Sequence, residues 1–207
     1  MASGLLNVVG EHMNGLQMAG IANITASKLN GVQIALCNYA TQARGLQIGL
    51  VNYYKENMKG FQLGLVNANP DTRVQMMVYG GNATPANIGV RFKNQLFYTI
   101  LGIGSMYQGL NDKFSASASY RAGLSFTLYK GLSISGDLGY QHIEAFDNKD
   151  EVIPKRLYAL QARANLEYQF TRKFGIFATG GYGLTRFYNK SSNYDKGAII
   201  EAGIVLF

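Results

Sequence analysis

Between Leu157 and Phe170 the chain alternates strictly. One set of positions reads Tyr158, Leu160, Ala162, Ala164, Leu166, Tyr168, Phe170, and the other reads Leu157, Ala159, Gln161, Arg163, Asn165, Glu167, Gln169. Side chains alternate faces along a strand, so the segment predicts one apolar face and one that turns charged and amide-rich. It exceeds the usual strand of about 5–6 residues, and aromatics tip its apolar face at both ends. A strand that crosses lipid needs about 9–11 residues, an apolar outer face, aromatic girdles and a polar inner face. Residues 157–170 therefore predict a membrane-spanning strand.

The template recurs. Ala116, Ala118, Tyr120, Ala122, Leu124, Phe126 and Leu128 alternate with Ser115, Ser117, Ser119, Arg121, Gly123, Ser125 and Thr127. Leu132, Ile134, Gly136, Leu138 and Tyr140 alternate with Ser133, Ser135, Asp137, Gly139 and Gln141, and residues 174–188 follow suit. The connections at Lys93-Asn94, Lys130 and Thr171-Arg172-Lys173 are tight, whereas 108–114, 146–156 and 189–196 are longer and polar. Short and long connections alternate in outer-membrane-type barrels.

The first part of the chain repeats. Copies of the form Gly-apolar-Gln-apolar start at Gly15, Gly31, Gly45 and Gly60, with a looser copy at Val74–Asn82. Their closing asparagines are Asn23, Asn38, Asn52, Asn67 and Asn82, a period short and regular enough to be architectural. Two architectures fit it. In an up-and-down meander each repeat is a strand and a turn, with Lys59, Phe61, Leu63, Leu65 and Asn67 outward and Gly60, Gln62, Gly64 and Val66 inward. In a β-solenoid each repeat is a coil and the asparagines stack as a ladder. The meander runs smoothly into the second half. It predicts one all-β domain over 1–207, an antiparallel up-and-down transmembrane β-barrel of about 12 strands, with short repeat strands in 1–94 and long ones in 95–207. The alternative is a short solenoid over 15–82 joined to a smaller barrel.

Composition narrows the function classes. Charged residues are 15% of the chain, and no apolar run is long enough for a helical span. The net charge of +7 suits anionic lipid or lipopolysaccharide phosphates. No basic run of the kind that grips nucleic acid occurs. Cys37 is the single cysteine, which excludes an internal disulfide framework and fits no metal motif. Met1–Gly10 lacks the charged and apolar regions of a signal peptide, so an exported chain is expected here in mature or partial form.

The final residues, Glu201-Ala202-Gly203-Ile204-Val205-Leu206-Phe207, resemble the closing strand of outer-membrane β-barrels, with Phe207 terminal and Val205 two places earlier. The resemblance implies recognition by the barrel-assembly machinery. The repeats at 15–82 resemble the surface-repeat proteins of Gram-negative outer membranes, which implies an outer-membrane location and little chemistry.

Arg121, Asp137, Arg163 and Glu167 share the inward face of three successive strands. They form either a charged constriction that selects solutes or a network that fills the lumen, and pairing of opposite charges on neighbouring strands points to the network. His142 and Glu144 invite comparison with Ser–His–acid hydrolases. However, His142 would neighbour Ala116, Ala118 and Tyr120, with the serines 115, 117 and 119 on the other face, so no nucleophile is presented. An interfacial role above the lipid band fits His142 better, and His12 stands alone.

Together these features predict a non-enzymatic structural or accessory barrel of the outer membrane, without catalytic, cofactor or metal residues. Its expected partners are outer-membrane lipid and lipopolysaccharide, the assembly machinery and other envelope proteins, with no nucleic acid. A small passive pore is the principal alternative. A lipid-active enzyme and an adhesin with an extramembranous repeat half are the further ones.

Overall fold

The computed structural model describes residues 1–105, 107, 110, 114–146, 156–188 and 193–206. The chain divides into two compact units, Met1–Thr72 and Arg73–Phe207, in place of the single domain suggested by the sequence.

In the first unit every strand pairs parallel. The strands are β1 (Ala2–Ser3), β2 (Leu6–Val9), β3 (His12–Ala19), β4 (Ala22–Ile34), β5 (Cys37–Ile48), β6 (Val51–Leu63) and β7 (Val66–Ala68). Each coil stacks in register on the next, so that Asn23 lies opposite Asn38, Gly31 opposite Gly45 and Gln33 opposite Gln47. The fold is a narrow β-solenoid. Bends at 20–21, 35–36, 49–50 and 64–65 change the alternation. Gln47 and Asn52, odd and even, therefore both point inward and are buried. A meander needs one parity throughout, so it fails here.

The inward positions are amide ladders. The Nδ2 of each asparagine donates to the next Oδ1 along Asn7, Asn23, Asn38, Asn52 and Asn67 at 2.9–3.0 Å. Gln33, Gln47 and Gln62 each donate to the preceding glutamine at 2.8–3.0 Å. Buried amides are tolerated because stacking in register gives them partners. Beside them Met13, Leu29 and Ala43 form the apolar filling with Ala40.

The second unit is a closed antiparallel barrel of eight strands, not about twelve. These are β8 (Arg73–Gly81), β9 (Ala86–Asn94), β10 (Phe97–Ser105), β11 (Ser115–Tyr129), β12 (Leu132–Ala145), β13 (Arg156–Thr171), β14 (Phe174–Phe187) and β15 (Asn193–Leu206). The looser copy at Val74–Asn82 belongs to β8, which pairs with β15 and closes the wall. The alternative of a solenoid and a smaller barrel thus describes the chain, with the boundary at Thr72 rather than beyond Asn82.

The tight turn expected at Lys93-Asn94 lies two residues later, where Gln95 takes a positive φ of 43°. Val205 faces inward and is buried. Phe207 and the central parts of the three long loops lie outside the described residues. The alternation expected within 115–144 and 157–188 is realised: Leu138, Leu160, Leu166 and Phe170 are exposed outside, while Ser135, Gln141, Gln161 and Asn165 are buried inside. An apolar exterior around a polar interior is the construction of a barrel that spans a bilayer.

Candidate functional site: the barrel lumen

Eight strands enclose an interior just wide enough for side chains to fill it. All four charged residues singled out in the sequence face this interior and are buried. Arg121, on β11, forks onto Asp137 of the neighbouring β12, with Nε and Nη2 each 2.8 Å from a carboxylate oxygen. Asp137 also accepts from the Tyr98 hydroxyl and from Asn165 Nδ2, both at 2.8 Å. Thr179 donates to Asn165 Oδ1 at 2.7 Å, tying β14 into the same group.

The other two residues find partners that the sequence did not suggest. Arg163 lies opposite Asp137 in the register, yet its guanidinium engages Glu201 on β15, with both contacts at 3.2 Å. It also donates to Gln161 at 2.7 Å. Glu167 takes both oxygens to Arg91 of β9, at 2.6 and 3.0 Å, and Arg91 donates further to Gln75. Arg121 Nη1 lies 3.6 Å from Glu201 and links the first two groups.

Three guanidinium groups thus face three carboxylates, each held by charge-assisted bonds stronger than neutral ones. Arg91, Glu201 and Gln75 were missed. Their alternation was readable, but that they meet residues of β11 and β13 depends on how the barrel closes.

Apolar side chains complete the filling on the tight-turn side. Met77, Tyr79, Tyr98, Ile100, Phe177 and Val205 form one buried cluster. Tyr79 meets Phe177 edge-on at 5.9 Å, and Arg121 lies over the Tyr79 ring. The cavity among Arg91, Arg121, Asn165, Glu167 and Phe177 holds about 10 Å³, room for about one water.

On the loop side a cavity of about 450 Å³, reached by Tyr107, Gln161, Thr185 and Ile199, includes Gln161 in its wall. Gln161 is also the residue that binds Arg163, so this mouth abuts the network. Burial raises the Tyr107 phenol above its ordinary range. Its hydroxyl pairs with Thr185 Oγ1 at 2.7 Å.

His142 lies outside the lumen. It is opposite Ala118, as expected from the sequence. Its Nδ1 is 2.7 Å from the Tyr188 hydroxyl and its Nε2 is 3.4 Å from Glu144, which accepts from Arg156 at 3.0 Å. Tyr140 and Tyr158 stack beside it, and Tyr140 shares a hydrogen bond with Tyr188. Burial, and then the Tyr140 hydroxyl, push the Tyr188 phenol up to about 12. The group is an outward belt of aromatic and charged side chains near the loop end, the usual composition of a membrane–water interface. No group of three or more His, Cys, Asp or Glu side chains able to hold a metal occurs among the described residues.

No family model matches the chain, and no curated protein matches it. Solved structures similar to part of it include the N-terminal β-barrel domain of Pseudomonas aeruginosa OprF. That similarity has 16% identity and a TM-score of 0.41, over 64% of this chain and 93% of that one. The Yersinia pestis outer membrane protein Ail in a phospholipid nanodisc is similar at 15% identity and a TM-score of 0.40, covering 66% of this chain and 99% of that one. A structure described as de novo design of transmembrane β-barrels is similar at 14% identity and a TM-score of 0.40, covering 64% and 91%.

Proposed function

We propose that this chain is a non-enzymatic outer-membrane β-barrel, a structural or accessory subunit of the envelope whose lumen is blocked by its own side chains. The observation that carries the reading is the set of three buried arginine–carboxylate pairs in the lumen, two of them linked through Arg121 and Glu201, beside a cavity of about 10 Å³. A hydrated ion needs several times that room. The inside-out polarity of the barrel supports the membrane location, and the belt around His142 supports contact with lipid and lipopolysaccharide headgroups. The barrel-assembly machinery and other envelope proteins are the further partners proposed. His142 meets a tyrosine hydroxyl rather than a serine, which supports the non-enzymatic reading.

Single-channel recording in planar bilayers tests the proposal. The purified protein should insert without steady conductance steps. Regular wild-type openings whose ion selectivity changes in Arg163→Ala would establish the pore instead, with Arg121, Asp137, Arg163 and Glu167 as its lining.

A further inference from the structure

The outer face of the barrel is graded along its strands. On β13 the outward residues Leu160, Ala162, Ala164 and Leu166 run between Tyr158 and Tyr168. The two tyrosines are ten residues apart, which at about 3.3 Å per residue and a tilt of about 40° spans about 25 Å. That is the height of the apolar band of a membrane barrel. Tyr168 belongs to a girdle with Phe170 and Phe174 on the tight-turn side. Tyr158 belongs to one with Tyr140 and Tyr188 on the loop side.

Charge begins where this band ends. Among the described residues of β11–β15, the outward Asp, Glu, Lys and Arg side chains are Glu144, Arg156, Arg186 and Lys196, all at the loop end. Arg156 lies two places beyond Tyr158, and Tyr158 is opposite Arg186. Arg186 in turn lies two places beyond Leu184, and Leu184 is opposite Lys196. Each step from one cation to the next is therefore a diagonal of about 7–8 Å between neighbouring strands. Arg156 gives its Nε to Glu144 at 3.0 Å, yet its side chain stays 67% exposed, and Lys196 is exposed as well. Three cations against one carboxylate leave the band positive.

Strand tilt holds the three cations close to one level. Rows of paired residues climb toward the loop end from β8 round to β15. The pairs that start at Tyr79 of β8 lead round to Phe187 of β14. Gly203, the direct partner of Tyr79 on β15, pairs instead with Phe177 of β14. A step across therefore gains about 3 Å of height while two residues down the strand lose about 5 Å, so the trio stays within about 5 Å of one level.

We infer that Arg156, Arg186 and Lys196 form a phosphate-binding band for lipopolysaccharide on the outer face of β13–β15. The site rests on the outer-membrane location proposed for the chain. The longer polar connections mark this end of the barrel as the outward one, where an outer membrane carries lipopolysaccharide. Guanidinium and ammonium groups give phosphate charge-assisted bonds. Three of them in a level line suit a headgroup with more than one phosphate better than the single phosphate of a phospholipid. The acyl chains then lie along Leu160, Leu184 and Ile200, with Tyr158 and Tyr188 at the interface between chains and sugar.

Native mass spectrometry of the full chain, folded in detergent and titrated with bis-phosphorylated lipid A, tests the site. Dephosphorylated lipid A and phosphatidylglycerol are the comparison lipids, and heat-modifiable gel migration checks barrel folding separately. Lipid A should bind tightly, and its dephosphorylated form and phosphatidylglycerol weakly. Arg156→Gln with Arg186→Gln and Lys196→Gln should weaken lipid A binding at least about tenfold. Lys130→Gln with Arg172→Gln and Lys173→Gln, which removes cations of the tight turns, should leave it unchanged. Wild-type affinity in the folded Arg156, Arg186 and Lys196 variant overturns the site, as does equally tight binding of dephosphorylated lipid A. If that variant does not migrate as folded, Lys196→Gln alone decides. It should weaken binding about threefold, and no change overturns the site. Phosphatidylglycerol bound as tightly as lipid A, and lost in the same variant, would make this a phospholipid site and overturn the assignment to lipopolysaccharide. A wild-type chain without heat-modifiable migration would instead overturn the barrel reading on which the site depends.

Discussion

Gly45→Ala should unfold the parallel unit and leave the barrel intact. Gly45 has a φ of +134°, a region L side chains rarely adopt. A Cβ there would lie 2.0 Å from the Gly31 carbonyl oxygen. The dihedral alone costs about 1–3 kcal/mol. The clash meets stacked backbone on the neighbouring coil and cannot be relieved by a rotamer change. The total should exceed about 4 kcal/mol, an exceptional loss for one substitution. Gly15→Ala is the internal comparison. Gly15 also has a positive φ, at +99°, but a Cβ would meet nothing within 4 Å, so only the dihedral cost applies. Limited proteolysis reads the difference. Gly45→Ala should lose protection across 1–72 while the barrel keeps its heat-modifiable migration, and Gly15→Ala should remain largely protected. Equal, wild-type protection in both variants would contradict the stacked register.

The second large effect is in the lumen. Asp137→Leu leaves the Arg121 guanidinium buried with only the more distant Glu201, at 3.6 Å, to balance it. Breaking one side of a buried pair costs about 3–5 kcal/mol, whereas replacing both partners by apolar residues of similar volume is often close to neutral. Asp137→Leu should therefore sharply lower the urea concentration at which the fast-migrating folded band is lost. Arg121→Met combined with Asp137→Leu should recover most of that loss. A double variant no more stable than Asp137→Leu alone would show that the network is not a coupled unit.

The long strands were legible because a barrel of this polarity writes its two faces into every second residue. Leu157–Phe170 could be assigned face by face without any knowledge of its neighbours. The period of the repeats was legible for the same kind of reason, since stacked asparagines must recur. The pairing direction was not. Alternation within Gly45–Asn52 suits a meander until the bend at 49–50 changes parity, and that change depends on backbone geometry rather than residue type.

The expectation of about twelve strands has the same origin, because it counts each coil as a membrane strand where the closed wall has eight. In the lumen, the inward placement of Arg121, Asp137, Arg163 and Glu167 followed from parity. Arg163 with Glu201 and Glu167 with Arg91 did not, because barrel curvature brings together strands that are not adjacent. Arg163 even passes over its register neighbour Asp137.

One chain joins a parallel, coil-on-coil sheet to a closed antiparallel barrel, and disulfide trapping in the repeats tests that architecture most directly. In a Cys37→Ser background, Leu46→Cys with Phe61→Cys places thiols on directly paired positions of β5 and β6. Neighbouring parallel strands lie about 4.8 Å apart, within the span a disulfide bridges. Leu46→Cys with Leu65→Cys approximates the pairing of an antiparallel hairpin. In the parallel sheet Leu65 instead belongs to the row of Leu50, one place before the Val51–Val66 pair. Mild oxidation should cross-link the 46–61 pair rapidly and leave the 46–65 pair reduced. Efficient cross-linking of 46–65 with none at 46–61 would restore the meander and contradict the two-unit architecture.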